Sequence, residues 1–210
     1  MLERTICVTM ILCGVIGPVF AHKCESDSSE QALWIGKPID TNLEHKLAEL
    51  FACLDTGDKN EYKLIDSTAC NWFAAKALAT VWKFTDFKVN NAFLSANEMA
   101  DKLSTGTLTH WTLIGPGNDQ HANQEAAATA AAGHPVVAVW KAPQGSNEHG
   151  HVALILPGGV VPSGWGVNVP RAAQLSIDHP NDAFIGCRVS SAFAAPKKTE
   201  VRYYSSDLDP

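Results

Sequence analysis

Apolar residues at 43, 47, 50, 51 and 54 (Leu43, Leu47, Leu50, Phe51 and Leu54) repeat at helical spacing, and Thr56-Gly57-Asp58 ends the run. A second helix is expected after Ile65. Ser67 or Thr68 is suited to its N-cap, alanine-rich sequence carries it to about Trp82, and Phe73, Ala77, Val81 and Phe84 form its buried stripe. Ser95 caps a short helix over 96–103 that turns Met99 and Leu103 inward. Residues 107–114 read as a strand and 115–119 as a loop. Residues 123–132, almost all alanine, read as a helix closed by Gly133. The pattern then changes: 135–141 and 151–156 are strand-like, Pro157-Gly158-Gly159 is a turn, and a third strand follows from Val160. A short helix is expected within 169–174 and late strands at 185–189 and 201–204, with Phe193 inward. Helices first and an antiparallel sheet second predict an α+β fold.

The first residues alter the picture of where this domain works. Arg4 precedes an apolar run over 6–20 that is broken by Gly14, Gly17 and Pro18, and Val19 and Ala21 occupy the −3 and −1 positions of a cut after Ala21. This is the form of a secretory signal, too short and broken for a spanning helix of about 20 residues. Met10-Ile11-Leu12 before Cys13 makes a poor lipoprotein signal. The expected organisation is a signal peptide at 1–21, a polar arm at 22–40 and one domain at 41–210. The product is expected to be secreted or periplasmic, without stable membrane insertion. Loss of Glu3 and Arg4 together leaves the net charge at −6. That balance, with no basic stripe, argues against a nucleic-acid partner. It also gives no long-range attraction to an anionic cell wall, so a wall substrate would have to be held by local contacts. Outside the signal the cysteines are Cys24, Cys53, Cys70 and Cys187. In an oxidising compartment they allow two disulfides. If Cys70 is free, one pair remains among the other three, with the choice open.

Cys70 is the sharpest chemical feature. A thiol in the first turn of a helix lies where the partial positive charge favours a thiolate, and the unpaired N–H groups of that turn can hold an oxyanion. Among the histidines, His151 stands apart because it opens an apolar strand immediately after Gly150; His149, two residues earlier, is its rival. A third group is needed to hold the imidazole tautomer. If the strand turns back at 157–159, Ser163 and Asn168 come near His151. Asp178 and a backbone carbonyl are further options. Glu148-His149-Gly150-His151 matches no metal-ligand spacing, and neither a phosphate-binding loop nor a Gly-x-Ser-x-Gly elbow occurs. No metal and no cofactor are expected.

Thr68-Ala69-Cys70-Asn71-Trp72-Phe73, then Ala132-Gly133-His134-Pro135-Val136-Val137-Ala138, then Gly150-His151-Val152-Ala153-Leu154-Ile155 occur in this order. The series resembles the papain-like superfamily of cell-wall hydrolases, of the NlpC and CHAP amidase kinds, over about residues 65–165. The resemblance implies N-terminal helices packed on a small antiparallel sheet, Cys70 as nucleophile, His151 as base and then acid, and a polar orienting residue that maps to the region of Ser163 to Asn168. It implies an amide bond in peptidoglycan peptides as the substrate; a toxin role is compatible with the same chemistry and would call for an immunity or inhibitor protein as partner. The insert at 142–148 departs from compact members, and the last 40 positions or so do not align. Two other readings are a non-catalytic exported module that binds wall or protein, and a cysteine acyltransferase.

Overall fold

The computed structural model describes residues 69–90, 92–175 and 184–207. The expected signal peptide, arm and helix over 43–54 lie outside them, as do Ser67, Thr68, Cys24, Cys53 and Asp178.

Among the described residues, three α-helices and an antiparallel sheet make the fold α+β. Helix α1 (Ala69–Val81) leads into a two-residue ribbon, β1 (Lys88–Val89) with β2 (Ala92–Phe93), and then α2 (Ala96–Ser104). Strand β3 (Trp111–Pro116), helix α3 (Gln120–Ala131) and strands β4 (Val136–Trp140) and β5 (His151–Ile155) follow. A small hairpin, β6 (Val161–Pro162) with β7 (Asn168–Val169), precedes β8 (Arg171–Gln174), β9 (Phe184–Arg188) and β10 (Arg202–Ser206). Two 3-10 turns, Val189–Ser191 and Ala195–Thr199, link β9 to β10. The main sheet has six strands in the order β3-β10-β4-β5-β8-β9, every neighbour antiparallel.

Strand parity divides the core into two layers, because successive side chains point to opposite faces. Val137, Val139, Val152, Leu154 and Ala173 pack with α1 and α2. Val136, Ala138, Trp140, Ala153, Ile155 and Ala172 pack with α3. Coverage of both faces explains why β4 reads as a continuous apolar run: all five of its residues are buried. The alanines of α3 serve close approach. Ala122, Ala126 and Ala130 lie against the sheet, and a Cβ added to Gly115 of β3 would stand 2.7 Å from that of Ala122.

The helix ends obey local rules. Ser95 and Glu98 form a reciprocal capping box on α2. Asp119 caps α3 by accepting from the N–H groups of His121 and Ala122 at 2.7 and 3.0 Å, so α3 begins three residues before its alanine run. Residues 105–110 are turns, which moves β3 to 111–116. The segment expected as a short helix within 169–174 is strand instead: it completes β7 and forms β8, sealed between β5 and β9. Burial on both sides overrode its weak helical pattern. Nor do all helices precede the sheet, since α3 falls between β3 and β4. Among the described residues no helix is long and apolar enough to cross a membrane.

Candidate active site

Helix α1 is held at both ends. Near its start, the buried Asn71 donates from Nδ2 to the Leu94 carbonyl at 2.8 Å, just ahead of the α2 cap. At its end, Trp82 donates from Nε1 to the Gly133 carbonyl at 2.7 Å. Phe73, Ala77 and Leu78, all buried, seat the helix on the sheet. Burying a side chain the size of Phe or Leu is worth about 1.5–3 kcal/mol. Cys70 is thereby fixed as the second residue of α1. Its sulfur is in no disulfide, and the residue is fully buried. The first-turn N–H groups of a helix have no acceptor within it, so their positive ends lie beside the sulfur.

His151 is the first residue of β5 and is half-buried. Parity groups it with Ala153 and Ile155, which face α3, yet its side chain hydrogen-bonds Cys70 of the opposite layer. The meeting is possible at the end of a strand, where no earlier pleat separates the two faces. The other contact of the ring runs from Nε2 to Oε1 of Gln174. An amide oxygen only accepts, so Nε2 carries the hydrogen and Nδ1 is left for the thiol. Phe193, expected inward and found buried, meets the His151 ring edge to face at 5.1 Å. Gly150 leaves room beside His151, and Asn97 uses it: its Oδ1 accepts from the Ala142 N–H at 2.9 Å. A Cβ on Gly150 would collide with that oxygen and approach the Trp140 carbonyl to 3.0 Å.

Ser163 and Asn168 do not reach the imidazole. The Ser163 hydroxyl donates to the Val167 carbonyl at 2.7 Å and accepts from the Trp165 N–H at 3.1 Å, closing the small hairpin on itself. Asn168 is exposed on β7, its backbone N–H donating to Gln120 at 2.9 Å. The reason is register. The chain leaves the sheet after β5, makes the β6-β7 hairpin, and only then returns as β8. With Leu154 opposite Ala173, Gln174 stands opposite Ala153 and diagonal to His151 on the same face. A neutral amide closing the segment Arg171-Ala172-Ala173-Gln174 was the available signal for Gln174. His149, the rival base, is exposed. Cys187 is buried and disulfide-bonded.

Opposing effects set the charge of His151. Burial disfavours the imidazolium, but a Cys70 thiolate, the hydrogen bond between the two side chains and the Gln174 hydrogen bond together outweigh it, against a smaller repulsion from Lys197. The net result is a proton held above the ordinary value of 6.5. This raised affinity adds stability that is full below 6.5 and is lost as pH climbs through the higher value. Nitrogen NMR of the ring is expected to show His151 titrating above 6.5. Replacing Gln174 by Leu removes a group that raises the value, so the titration moves down. A Gln174→Leu titration unchanged from wild type would show that the amide does not support the imidazolium.

A second cluster lies beyond the C-terminal end of α1. Asp86 Oδ2 accepts from Trp111 Nε1 at 3.1 Å and pairs with His110 Nε2 at 2.8 Å, while the His110 ring stacks on Phe84. It ties β3 to the loop after α1. Among the described residues no three His, Cys, Asp or Glu side chains converge to hold a metal ion.

No family model matches this chain, and no curated protein matches it. The chemistry therefore rests on the arrangement itself: a thiol at a helix start, an imidazole that can take its proton, and an amide that fixes which ring nitrogen does so.

Proposed function

We propose that the chain is an exported cysteine hydrolase with a papain-like fold, cleaving an amide bond in peptidoglycan peptides. The observation that carries this reading is the Cys70–His151 hydrogen bond with Gln174 on the far ring nitrogen. The order of elements supports it too: a helix-borne cysteine, then antiparallel strands, with histidine opening the second strand of the β4-β5 pair. The choice of wall peptides comes from the sequence resemblance and the signal-like N-terminus.

In the proposed reaction Nδ1 of His151 takes the Cys70 proton, and the thiolate attacks the amide carbonyl. N–H groups at the start of α1 receive the oxyanion. The imidazolium gives its proton to the leaving amine, and a water activated by His151 then cleaves the thioester, releasing acid and free thiol. Gln174 keeps the ring oriented throughout. Because Cys70 is buried, the site must open before an acyl group reaches the sulfur.

That burial favours one second reading, an exported module that binds wall peptides without cutting them. Incubation of the protein with purified muropeptides, followed by mass spectrometry, separates the cases. Hydrolysis yields two fragments that together contain one added water. Transfer to an added amine would instead identify an acyltransferase, and intact muropeptides that nevertheless bind would defeat the hydrolase reading.

A further inference from the structure

The acidic chain needs a local cation to hold an anionic wall peptide, and one stands at this site. Lys197, in the turn Ala195–Thr199, places Nζ 3.5 Å from the centroid of the Trp140 ring. Trp140 is the cross-strand partner of His151. The same Nζ lies 2.8 Å from Glu148 Oε1, three residues before His151 in sequence. Trp140 is itself held, donating from Nε1 to Glu200 at 3.0 Å. The lysine side chain is 27% exposed and that of Glu148 53%. An aromatic face fixes the ammonium from one side, while a solvated, easily displaced carboxylate occupies another.

Besides joining the loop before β5 to the turn Ala195–Thr199, this lysine acts on the charge of the site. Lys197 repels the imidazolium that the proposed chemistry requires, so an uncompensated cation here works against the site. A carboxylate on the ammonium offsets that repulsion, as Glu148 does now. An ammonium carries three donors, enough to exchange Glu148 for, or share it with, an incoming anion.

We propose that Lys197 is a specificity-determining residue that receives a carboxylate borne next to the scissile amide, with Glu148 holding its place until substrate arrives. The inference rests on the hydrolase reading for the location of the scissile bond. The recognition itself is a binding event and is testable without turnover.

The test uses the full chain carrying Cys70→Ala, and muropeptides with free carboxylates alongside the same muropeptides amidated. Calorimetry is expected to show the free acids binding about 10–100-fold more tightly than the amides, the range for one charge-assisted hydrogen bond. Adding Lys197→Met is expected to bring that ratio close to one. Adding Glu148→Gln is expected to preserve or enlarge it, because the competing carboxylate is gone. Acid preference that survives Lys197→Met overturns the proposal, as does equal binding of acid and amide, or no binding of either, by the Cys70→Ala chain. Wild-type cleavage of the same muropeptides is scored separately. Carboxylate-dependent binding without cleavage would sink the hydrolase reading and leave the receptor in place; cleavage without acid preference would do the reverse. A titration readout guards against a merely structural effect: Lys197→Met removes the repulsion and is expected to move the His151 titration upward in NMR.

Discussion

Cys70→Ala is expected to lower kcat for muropeptide hydrolysis by about 10⁶-fold, the loss seen when the nucleophile of a catalytic unit is deleted. Loss of the thiol removes the covalent route, and His151 with the α1 N–H groups can then only polarise a carbonyl. The fold is expected to survive. The substitution keeps a small, helix-favouring residue in the first turn of α1, while Phe73, Ala77, the Asn71–Leu94 bond and the Trp82–Gly133 bond still seat the helix. Circular dichroism should therefore match wild type while product formation disappears. A well-folded Cys70→Ala protein that still turns over muropeptides would remove Cys70 from the mechanism. Cys70→Ser gives an intermediate test, because a hydroxyl keeps the hydrogen bond to His151 but is a far weaker nucleophile at neutral pH.

Asn123→Leu is expected to destabilise the protein by about 3 kcal/mol, since it strands buried polar groups that each cost about 1–3 kcal/mol when unpaired. Asn123 is fully buried in α3. Its Nδ2 donates to the carbonyls of Gly117 and Asp119 at 2.8 and 2.6 Å, and its Oδ1 accepts from the Tyr203 hydroxyl at 2.7 Å. One amide thus joins the loop before α3, the helix and strand β10. Burial pushes the Tyr203 phenol far up, so the hydroxyl stays protonated and is left without its acceptor in the variant. Leucine matches the branching of asparagine and has good helix propensity, so neither a cavity nor weak propensity explains the loss; its larger volume adds some overpacking. Thermal unfolding should shift down by about 6–12 °C. Adding Tyr203→Phe to Asn123→Leu removes the orphaned hydroxyl and should cost less than the sum of the two single changes. Full additivity would mean that the two side chains do not act as one network.

Much of the framework is legible in the sequence. Of the expected stripe Phe73, Ala77 and Phe84 are buried and Val81 is half-buried, Ser95 caps α2, and Phe193 faces inward, each a consequence of spacing or capping within a few residues. Cys70 at a helix start and His151 at a strand start were readable for the same reason. Error entered where the reading depended on distant chain. Ser163 and Asn168 follow from assuming that the chain turns straight back after β5. The hairpin of β6 and β7 breaks that assumption, and the four residues of β8 carry too little pattern to distinguish strand from helix. Lys197 carried no sequence signal at all: it lies in an irregular turn, and its importance comes from Trp140, Glu148 and His151, which belong to other elements.

By itself the sequence determined the periodicities: which residues of each helix and strand are apolar, where α2 begins, and that a thiol and an imidazole each open a regular element. Those are local properties, set by backbone geometry over a few residues. Tertiary structure decided which polar group meets the imidazole, which cation stands beside it, and that two residues of opposite sheet faces touch at all. Hydrogen bonds and ion pairs act over about 3–4 Å, so their partners are chosen by strand register and by where loops return, and both are settled only when the whole core packs.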